Sequence, residues 1–172
     1  ATDNQTEWLW ELDGLENHTN VEWTVDRIKY YGHNMSLSQV MPLTVYNQSA
    51  YSLVCETNFE SDYVFYTEKT VKPILARRLF ILLSHQYALA RLRDLGFKTF
   101  HGIIDESYDE IEPAIHRHEA ALEQLRWLCS QEQSTILNRC QDIVDHNFNL
   151  MYGWDWQGEY LRQLGNALLG VN

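Results

Sequence analysis

The sequence predicts an α/β protein: a Rossmann-like parallel sheet flanked by helices, with a long helical C-terminal region. Two short, continuous apolar runs, Tyr51–Cys55 and Leu79–Leu83, are typical of buried strands. A helical pattern lies between them, and a strand, helix, strand order predicts a parallel pair joined by a right-handed crossover. Beyond residue 110, apolar residues recur at helical spacing almost to the end of the chain.

Length and composition suit one compact domain. The chain has 172 residues, of which 45% are hydrophobic, and this is enough to bury a substantial core. We expect three parts within it: an N-terminal segment with a short helix, a strand and loops at 1–48, the Rossmann-like core at 49–110, and C-terminal helices packed on the core at 111–172.

Net charge and cysteine content limit which partners and which cellular compartment we expect. A net charge of −11 argues against nucleic acid and anionic membrane as main partners, because both are bound by basic surfaces. No apolar run is long enough to span a bilayer, and the first residues lack a signal-peptide pattern. Cys55, Cys129 and Cys140 lack the spacing of disulfide or metal motifs, so we expect buried thiols in a cytoplasmic protein.

The N-terminal segment holds one predicted helix and one predicted strand. Trp8, Leu12 and Leu15 fall at helical spacing and predict an amphipathic helix. This helix either packs on its own domain or, around Trp8 and Trp10, binds a second lobe or subunit. One strand is expected between residues 21 and 48, with a turn at residues 32–34.

The helix between the two core strands contains a proline near its start. Pro73 would remove a hydrogen bond from the second turn of a helix that began at Thr67, whereas it fits the first turn if Thr70 is the N-cap. We therefore expect Glu68 and Lys69 to lie on the preceding loop or in a distorted first turn, facing a ligand.

The remaining elements are predicted from periodicity and capping residues. Gly96 is a typical C-cap for a second helix, and Ser107 and Glu110 have capping-box spacing before a long helix. The expected elements are a helix at 87–95, a short third strand at 97–100, and helices at 111–128, 131–151 and 159–169.

Polar residues follow both core strands, at the edge where open parallel sheets bind ligands. Glu56, Thr57 and Asn58 come directly after the first strand, and Ser84 and His85 come after the second. Because the carboxyl ends of parallel strands meet at one edge of the sheet, we expect these side chains to lie side by side.

A carboxylate and an ammonium stand next to each other before the first core helix. Lys69 can bind phosphate there, because the N–H groups at the helix start and the helix dipole add to its charge. Glu68 would repel phosphate, but it can accept hydrogen bonds from the two hydroxyls of a ribose diol. The alternative is an exposed ion pair between Glu68 and Lys69, worth under about 1 kcal/mol.

Several known catalytic motifs are missing from the sequence. It contains no G-x-S-x-G, H-E-x-x-H, Walker or G-x-G-x-x-G pattern. His116-Arg117-His118 lies on a predicted helix, where the two histidines point in different directions and a solvated face is expected. The acidic run at 105–112 is likewise typical of a solvated face. We therefore predict no metal site. Trp154 and Trp156 belong either to the core or to a surface that stacks on sugar rings.

Two segments of the core resemble the donor-site signature of the α1,3-fucosyltransferase family. These are Ser-Leu-Val-Cys-Glu-Thr-Asn at residues 52–58 and Tyr-Thr-Glu-Lys at residues 66–69. In that family a strand ending in Phe-Glu-Asn is followed by a loop and then by Tyr-x-Thr-Glu-Lys. The wider region, about residues 40–125, also resembles presumed glycosyltransferases of bacteria and their phages.

The resemblance implies a two-lobed GT-B fold of which this chain is the C-terminal, donor-binding lobe. By the resemblance, Glu68 contacts the ribose and Lys69 the diphosphate of a nucleoside-diphosphate sugar such as a GDP-sugar. Phe65 falls where the family has a tyrosine, and Thr57 falls where it has the asparagine of Phe-Glu-Asn. The expected donor-binding set is Glu56, Thr57, Asn58, Phe65, Thr67, Glu68, Lys69 and His85.

Transfer in the family is inverting, needs no bound metal or other cofactor, and goes to a hydroxyl of a glycan acceptor. The base that deprotonates the acceptor comes from the N-terminal lobe, so we assign no catalytic residue here. Two such lobes need roughly 300 residues, about twice a domain of ordinary size, so this chain is expected to be incomplete as an enzyme on its own.

The alternative is a non-catalytic interaction or structural protein that retains the lobe. Phe65 lacks the tyrosine hydroxyl of the family, and His85 stands where small residues usually let a nucleotide approach the strand end. Exposed tryptophans would also suit a surface that binds another protein.

Overall fold

The computed structural model describes residues 27–30, 33–36, 38, 41, 43–57, 64–155, 157–159, 161–162 and 165. Nine helices and strands have defined bounds within these residues, and a 3₁₀ turn at Ser107–Glu110 precedes the last two helices. In chain order they are β1 (Arg27–Tyr30), β2 (His33–Ser36), α1 (Leu43–Asn47), β3 (Tyr51–Cys55), α2 (Glu68–Leu75), β4 (Leu79–Leu83), α3 (Ala88–Asp94), α4 (Ala114–Ser130) and α5 (Gln133–Gly153).

The fold is mixed α/β, with a two-stranded parallel sheet packed against helices and two long C-terminal helices. β3 and β4 pair in parallel, from Tyr51 opposite Leu79 to Cys55 opposite Leu83. Both strands have the predicted bounds. β4 is buried along most of its length, as expected for a strand covered on both faces, whereas only Val54 of β3 is buried. The predicted parallel pairing is confirmed.

The core lies between this sheet and the C-terminal helices. Residues 79–82 of β4 are at most 2% exposed, and α4 packs directly on β4 while α2 packs on α5. Phe80 meets Phe100 edge to face, with ring centroids 5.3 Å apart. Because the strands are parallel, their carboxyl ends lie at one edge of the sheet.

The predicted third strand at residues 97–100 is wrong. This segment runs without regular structure, and its backbone groups bind side chains instead of a strand. Lys98 N donates to Asn147 Oδ1 at 2.8 Å and Lys98 O accepts from Asn147 Nδ2 at 2.7 Å. Phe100 N donates to Glu106 Oε1 at 2.6 Å. Two side chains thus replace the neighbouring strand that the prediction required.

The start of α2 also differs from the prediction. Thr67, not Thr70, is the N-cap, and its side chain accepts a hydrogen bond from Lys69 N. Pro73 consequently lies in the second turn, where it has no N–H to donate. The helix ends two residues later at Leu75.

The N-terminal region holds a β-hairpin rather than a single strand. β1 and β2 pair antiparallel, with Tyr30 opposite His33 and Lys29 opposite Asn34. His33 and Asn34 are therefore strand residues, and their prediction as a turn is wrong. The predicted helix around Trp8 and Trp10 lies outside the described residues.

The C-terminal helices are shifted slightly from their predicted bounds. α4 begins at Ala114, and the residues that were expected to form its capping box form the 3₁₀ turn instead. There, Ser107 N donates to the Asp105 carboxylate at 2.9 Å. Gly96 follows α3 with a φ of 90°, which confirms its predicted capping role. Of the predicted last helix, residues 159, 161–162 and 165 are described, and they are helical.

Two smaller predictions have different outcomes. Cys140 is buried as expected, but Cys55 and Cys129 are exposed, so the expectation of three buried thiols is wrong.

Across the described residues, none of the helices combines the length and the apolar character needed to cross a membrane.

Candidate functional site

Glu56 links the end of β3 to the start of α2. Its side chain is 3% exposed. The carboxylate accepts hydrogen bonds from Thr67 N at 2.9 Å, from Thr67 Oγ1 at 2.6 Å and from Thr70 Oγ1 at 2.5 Å. Since a buried carboxylate needs several donors to offset its desolvation, these contacts explain why the helix begins at Thr67. Glu56 therefore points inward and holds the site together.

Lys69 places an ammonium at the first turn of α2. Its Nζ lies 3.1 Å from Thr57 Oγ1, 3.4 Å from Thr67 Oγ1 and 3.5 Å from Glu68 Oε1. The Lys69 and Glu68 side chains are 42% and 35% exposed. The structure thus brings together four predicted site residues at the carboxyl edge of the sheet.

A second lysine lies one turn further along α2. Burial lowers the pKa of Lys72, the Glu68 carboxylate raises it, and the Lys69 ammonium lowers it. Glu68 therefore interacts with two cations on the same helix. Sequence reasoning missed Lys72, although its spacing of four residues from Glu68 is the usual signal for such a pair.

The segment before α2 reaches across to α3. Tyr66 OH donates to the backbone carbonyl of Ala88 at 2.5 Å, so residues 65–66 lie against the first residues of α3. The Phe65 ring is 49% exposed at this position. Asn58, the remaining predicted residue of the loop, lies outside the described residues.

The end of β4 lies beside the end of β3, as predicted. Glu56 N donates to Leu83 O at 2.9 Å, so the pairing of the strands continues one residue beyond β3. Ser84 and His85 follow, and they are 1% and 8% exposed. Burial lowers the pKa of His85, and a hydrogen bond with the backbone of Gln86 opposes this shift.

Arg117 fixes the end of β4 and was missed by the sequence prediction. Its side chain donates to the carbonyl of Ser84 at 2.8 Å and to those of Ile111 and Glu112 at 2.6 and 2.9 Å. It is only 3% exposed, so the prediction of a solvated face at this residue is wrong. A signal was present, because Arg117 falls on the helical stripe that also contains Ala121 and Leu128.

The acidic run at 105–112 is partly buried, which also contradicts the prediction. Asp109 accepts hydrogen bonds from Leu89 N at 2.9 Å and Ala90 N at 3.0 Å, and so caps α3. Glu106 accepts from Thr99 Oγ1 and from Arg93 Nη1, at 2.6 and 3.1 Å. Burial raises the pKa of both carboxyls, and their hydrogen bonds oppose the shift.

Comparisons with known proteins provide no relative. No family model, curated protein or solved structure matches the chain. Within the described residues, no group of three or more histidine, cysteine, aspartate or glutamate side chains is arranged to hold a metal ion. The chemistry of the site therefore follows from its own residues: a partly exposed ammonium at a helix start, an adjacent carboxylate, a hydroxyl at a strand end, and the half-exposed Phe65 ring in the segment before the helix.

Proposed function

We propose that this chain is the donor-binding lobe of a glycosyltransferase, a Rossmann-like lobe of the GT-B type that holds a nucleoside-diphosphate sugar at the carboxyl edge of β3 and β4. The observation that carries the proposal is the position of Lys69. Its ammonium lies at the start of α2 and against the Thr57 hydroxyl at the end of a parallel strand.

The charge at this point favours a diphosphate. A helix start carries partial positive charge, so a lysine there is repelled by the helix dipole and gains when an anion binds. The pair that Lys69 forms with Glu68 at 3.5 Å is exposed on both sides, and such a pair contributes under about 1 kcal/mol. An entering phosphate can therefore displace Glu68 from the ammonium at little cost.

Glu68 is then available for the ribose. A carboxylate accepts two hydrogen bonds from neighbouring hydroxyls, and Glu68 is one residue from the ammonium. Because the whole chain carries a net charge of −11, binding of an anion depends on this local group of cations.

Transfer to an acceptor needs a base that this site does not supply. The buried carboxylates of Glu56, Glu106 and Asp109 all hold partners within the chain. We therefore place the base for the acceptor hydroxyl on a second lobe or subunit, and propose the Trp8 and Trp10 region as the surface that contacts it.

Calorimetric titration of guanosine and uridine diphosphate sugars into the full chain tests this function. We expect Lys69→Ala to weaken binding about tenfold or more, since a hydrogen bond to a charged group contributes roughly 1.5–3 kcal/mol. Lys98→Ala is the matched control, because Lys98 is an exposed lysine away from α2. Equal affinity of wild type and Lys69→Ala would end the assignment.

The second candidate function is a non-catalytic interaction protein with the same lobe. It is favoured by the side chains that already fill the sheet edge: Glu56 and Asp109 are both bound to helix starts, and His85 is 8% exposed. Failure of every nucleotide sugar to bind at millimolar concentration, with an unchanged circular dichroism spectrum, would support this alternative.

A further inference from the structure

The turn after β4 presents an aromatic ring from an unfavourable backbone conformation. Tyr87 has φ 63° and ψ 18°, in the left-handed region that residues with a Cβ rarely adopt. Its N–H donates to Asp109 O at 2.8 Å, and Ala88 N donates to His85 O at 3.3 Å. These bonds hold the turn in place, and the Tyr87 ring is 49% exposed.

This turn does not suit a phosphate. The Asp109 carboxylate already accepts from Leu89 N and Ala90 N at the start of α3, so negative charge occupies the position that an anion would take. A ligand group that binds beside Tyr87 is therefore uncharged, and an exposed aromatic ring favours a flat one.

A buried polar atom in the same turn has no hydrogen-bond partner. Among the described residues, none bonds to His85 Nε2, although the side chain is 8% exposed. Burial lowers the pKa of His85, and a hydrogen bond between the ring and the Gln86 backbone raises it. A neutral imidazole whose other nitrogen donates leaves Nε2 as an acceptor. This atom is buried, so a ligand reaches it only when its surroundings move.

The turn lies beside the candidate phosphate site. The bond from Glu56 N to Leu83 O aligns the residues after β3 with those after β4, and neighbouring strands are about 4.8 Å apart. Thr57, which contacts Lys69, therefore follows β3 at the level where His85 follows β4. The bond between Tyr66 and Ala88 brings the half-exposed Phe65 to the same edge.

We propose that His85 and Tyr87 form the base subsite of the nucleotide site, where the Tyr87 ring stacks on the base and His85 Nε2 accepts a ring N–H from it. Guanine and uracil carry such an N–H, whereas adenine and cytosine do not. When the base enters, the turn changes conformation, and the N–H of the base becomes the donor that His85 Nε2 lacks. This inference rests on the proposed function, since Lys69 would hold the diphosphate of the same ligand.

The test compares pyrophosphate with GDP, UDP, ADP and CDP by calorimetry on the full chain. GDP or UDP is expected to bind at least about tenfold more tightly than pyrophosphate, ADP and CDP, because stacking and one further hydrogen bond are added. Tyr87→Asn keeps a residue that tolerates the left-handed conformation but removes the ring. This variant should bind GDP or UDP about tenfold more weakly than wild type does, and its affinity for pyrophosphate should be unchanged.

Matched variants separate stacking from other effects. Tyr87→Phe should bind GDP or UDP as wild type does, and His85→Gln, which keeps an accepting atom, should bind more tightly than His85→Leu. Tyr152→Asn removes an equally polar ring that is 80% exposed elsewhere and should change nothing. Nucleotide affinity that is unaltered in Tyr87→Asn, or a GDP and UDP affinity no higher than that of pyrophosphate, would overturn the base subsite. Pyrophosphate binding that is unaltered in Lys69→Ala would instead overturn the proposed function.

Discussion

The two strand-to-helix connections at the edge of the sheet are built from similar parts but present different chemistry. After β3, Glu56 reaches from the strand end to the hydroxyls of Thr67 and Thr70 at the start of α2. After β4, Asp109 reaches back from the 3₁₀ turn to the N–H groups of Leu89 and Ala90 at the start of α3. In both connections a buried carboxylate holds the first turn of the following helix.

The position of each carboxylate decides what faces solvent. Glu56 is buried at the start of α2, and the Lys69 ammonium lies partly exposed outside it. Asp109 takes the N–H groups of α3 directly, so the second connection has no anion site and presents the Tyr87 ring instead. One edge of one sheet thus presents an ammonium at the first connection and an aromatic ring at the second.

The largest expected effect comes from removing the carboxylate under α2. We expect Glu56→Ala to lower the free energy of unfolding by about 3 kcal/mol, because the Thr70 hydroxyl, which is 1% exposed, loses its acceptor. Urea denaturation measures this change. Glu68→Ala, an exposed glutamate of the same helix, should lose less than about 0.5 kcal/mol, and equal losses in the two variants would refute the role of Glu56.

The second expected effect comes from removing the carboxylate that caps α3. Asp109→Ala should lower the free energy of unfolding by about 2 kcal/mol, since two N–H groups lose their cap. Asp109→Asn keeps one accepting oxygen and should lose about half as much. If Asp109→Ala proves more destabilising than Glu56→Ala in the same urea titration, the ranking of the two connections is reversed.

The third effect is a gain in stability. Tyr87→Gly removes the left-handed strain and should raise the free energy of unfolding by about 0.5 kcal/mol, while it weakens nucleotide binding. Arg77 is the matched comparison, with φ 53°. Its guanidinium lies 4.1 Å from the Phe148 ring centroid, so Arg77→Gly should gain nothing. A loss above about 1 kcal/mol in Tyr87→Gly would mean that its ring is a packing residue.

The smallest effect concerns a third helix start, where the capping carboxylate is exposed. Hydrogen bonds from Thr135 and Ser134 lower the pKa of Glu132 from 4.5 to about 2. Because the folded pKa lies below the unfolded one, this stabilisation is complete above about pH 4.5 and is lost as the pH falls towards 2. Glu132→Gln should therefore melt a few degrees lower than wild type at pH 7 and equally at pH 2, by thermal circular dichroism. A difference that persists at pH 2 would exclude this explanation.

Several elements could be predicted from the sequence because their causes are local. The run Leu79–Leu83 is apolar along its whole length, which favours a strand buried on both faces, and the mostly apolar run Tyr51–Cys55 pairs with it. Gly96 tolerates a φ of 90° that other residues avoid. The meeting of Thr57 and Lys69 also follows from strand and helix order alone.

The tertiary structure decided the features whose partners are distant in the sequence. α2 begins at Thr67 because Glu56, 11 residues earlier, accepts its N–H, and residues 97–100 are not a strand because Asn147, 49 residues from Lys98, binds the backbone there. Arg117 is buried because it reaches the Ser84 carbonyl, 33 residues away. A charged or amide side chain enters the interior only where enough donors or acceptors converge on it, and that convergence exists only once the chain has folded.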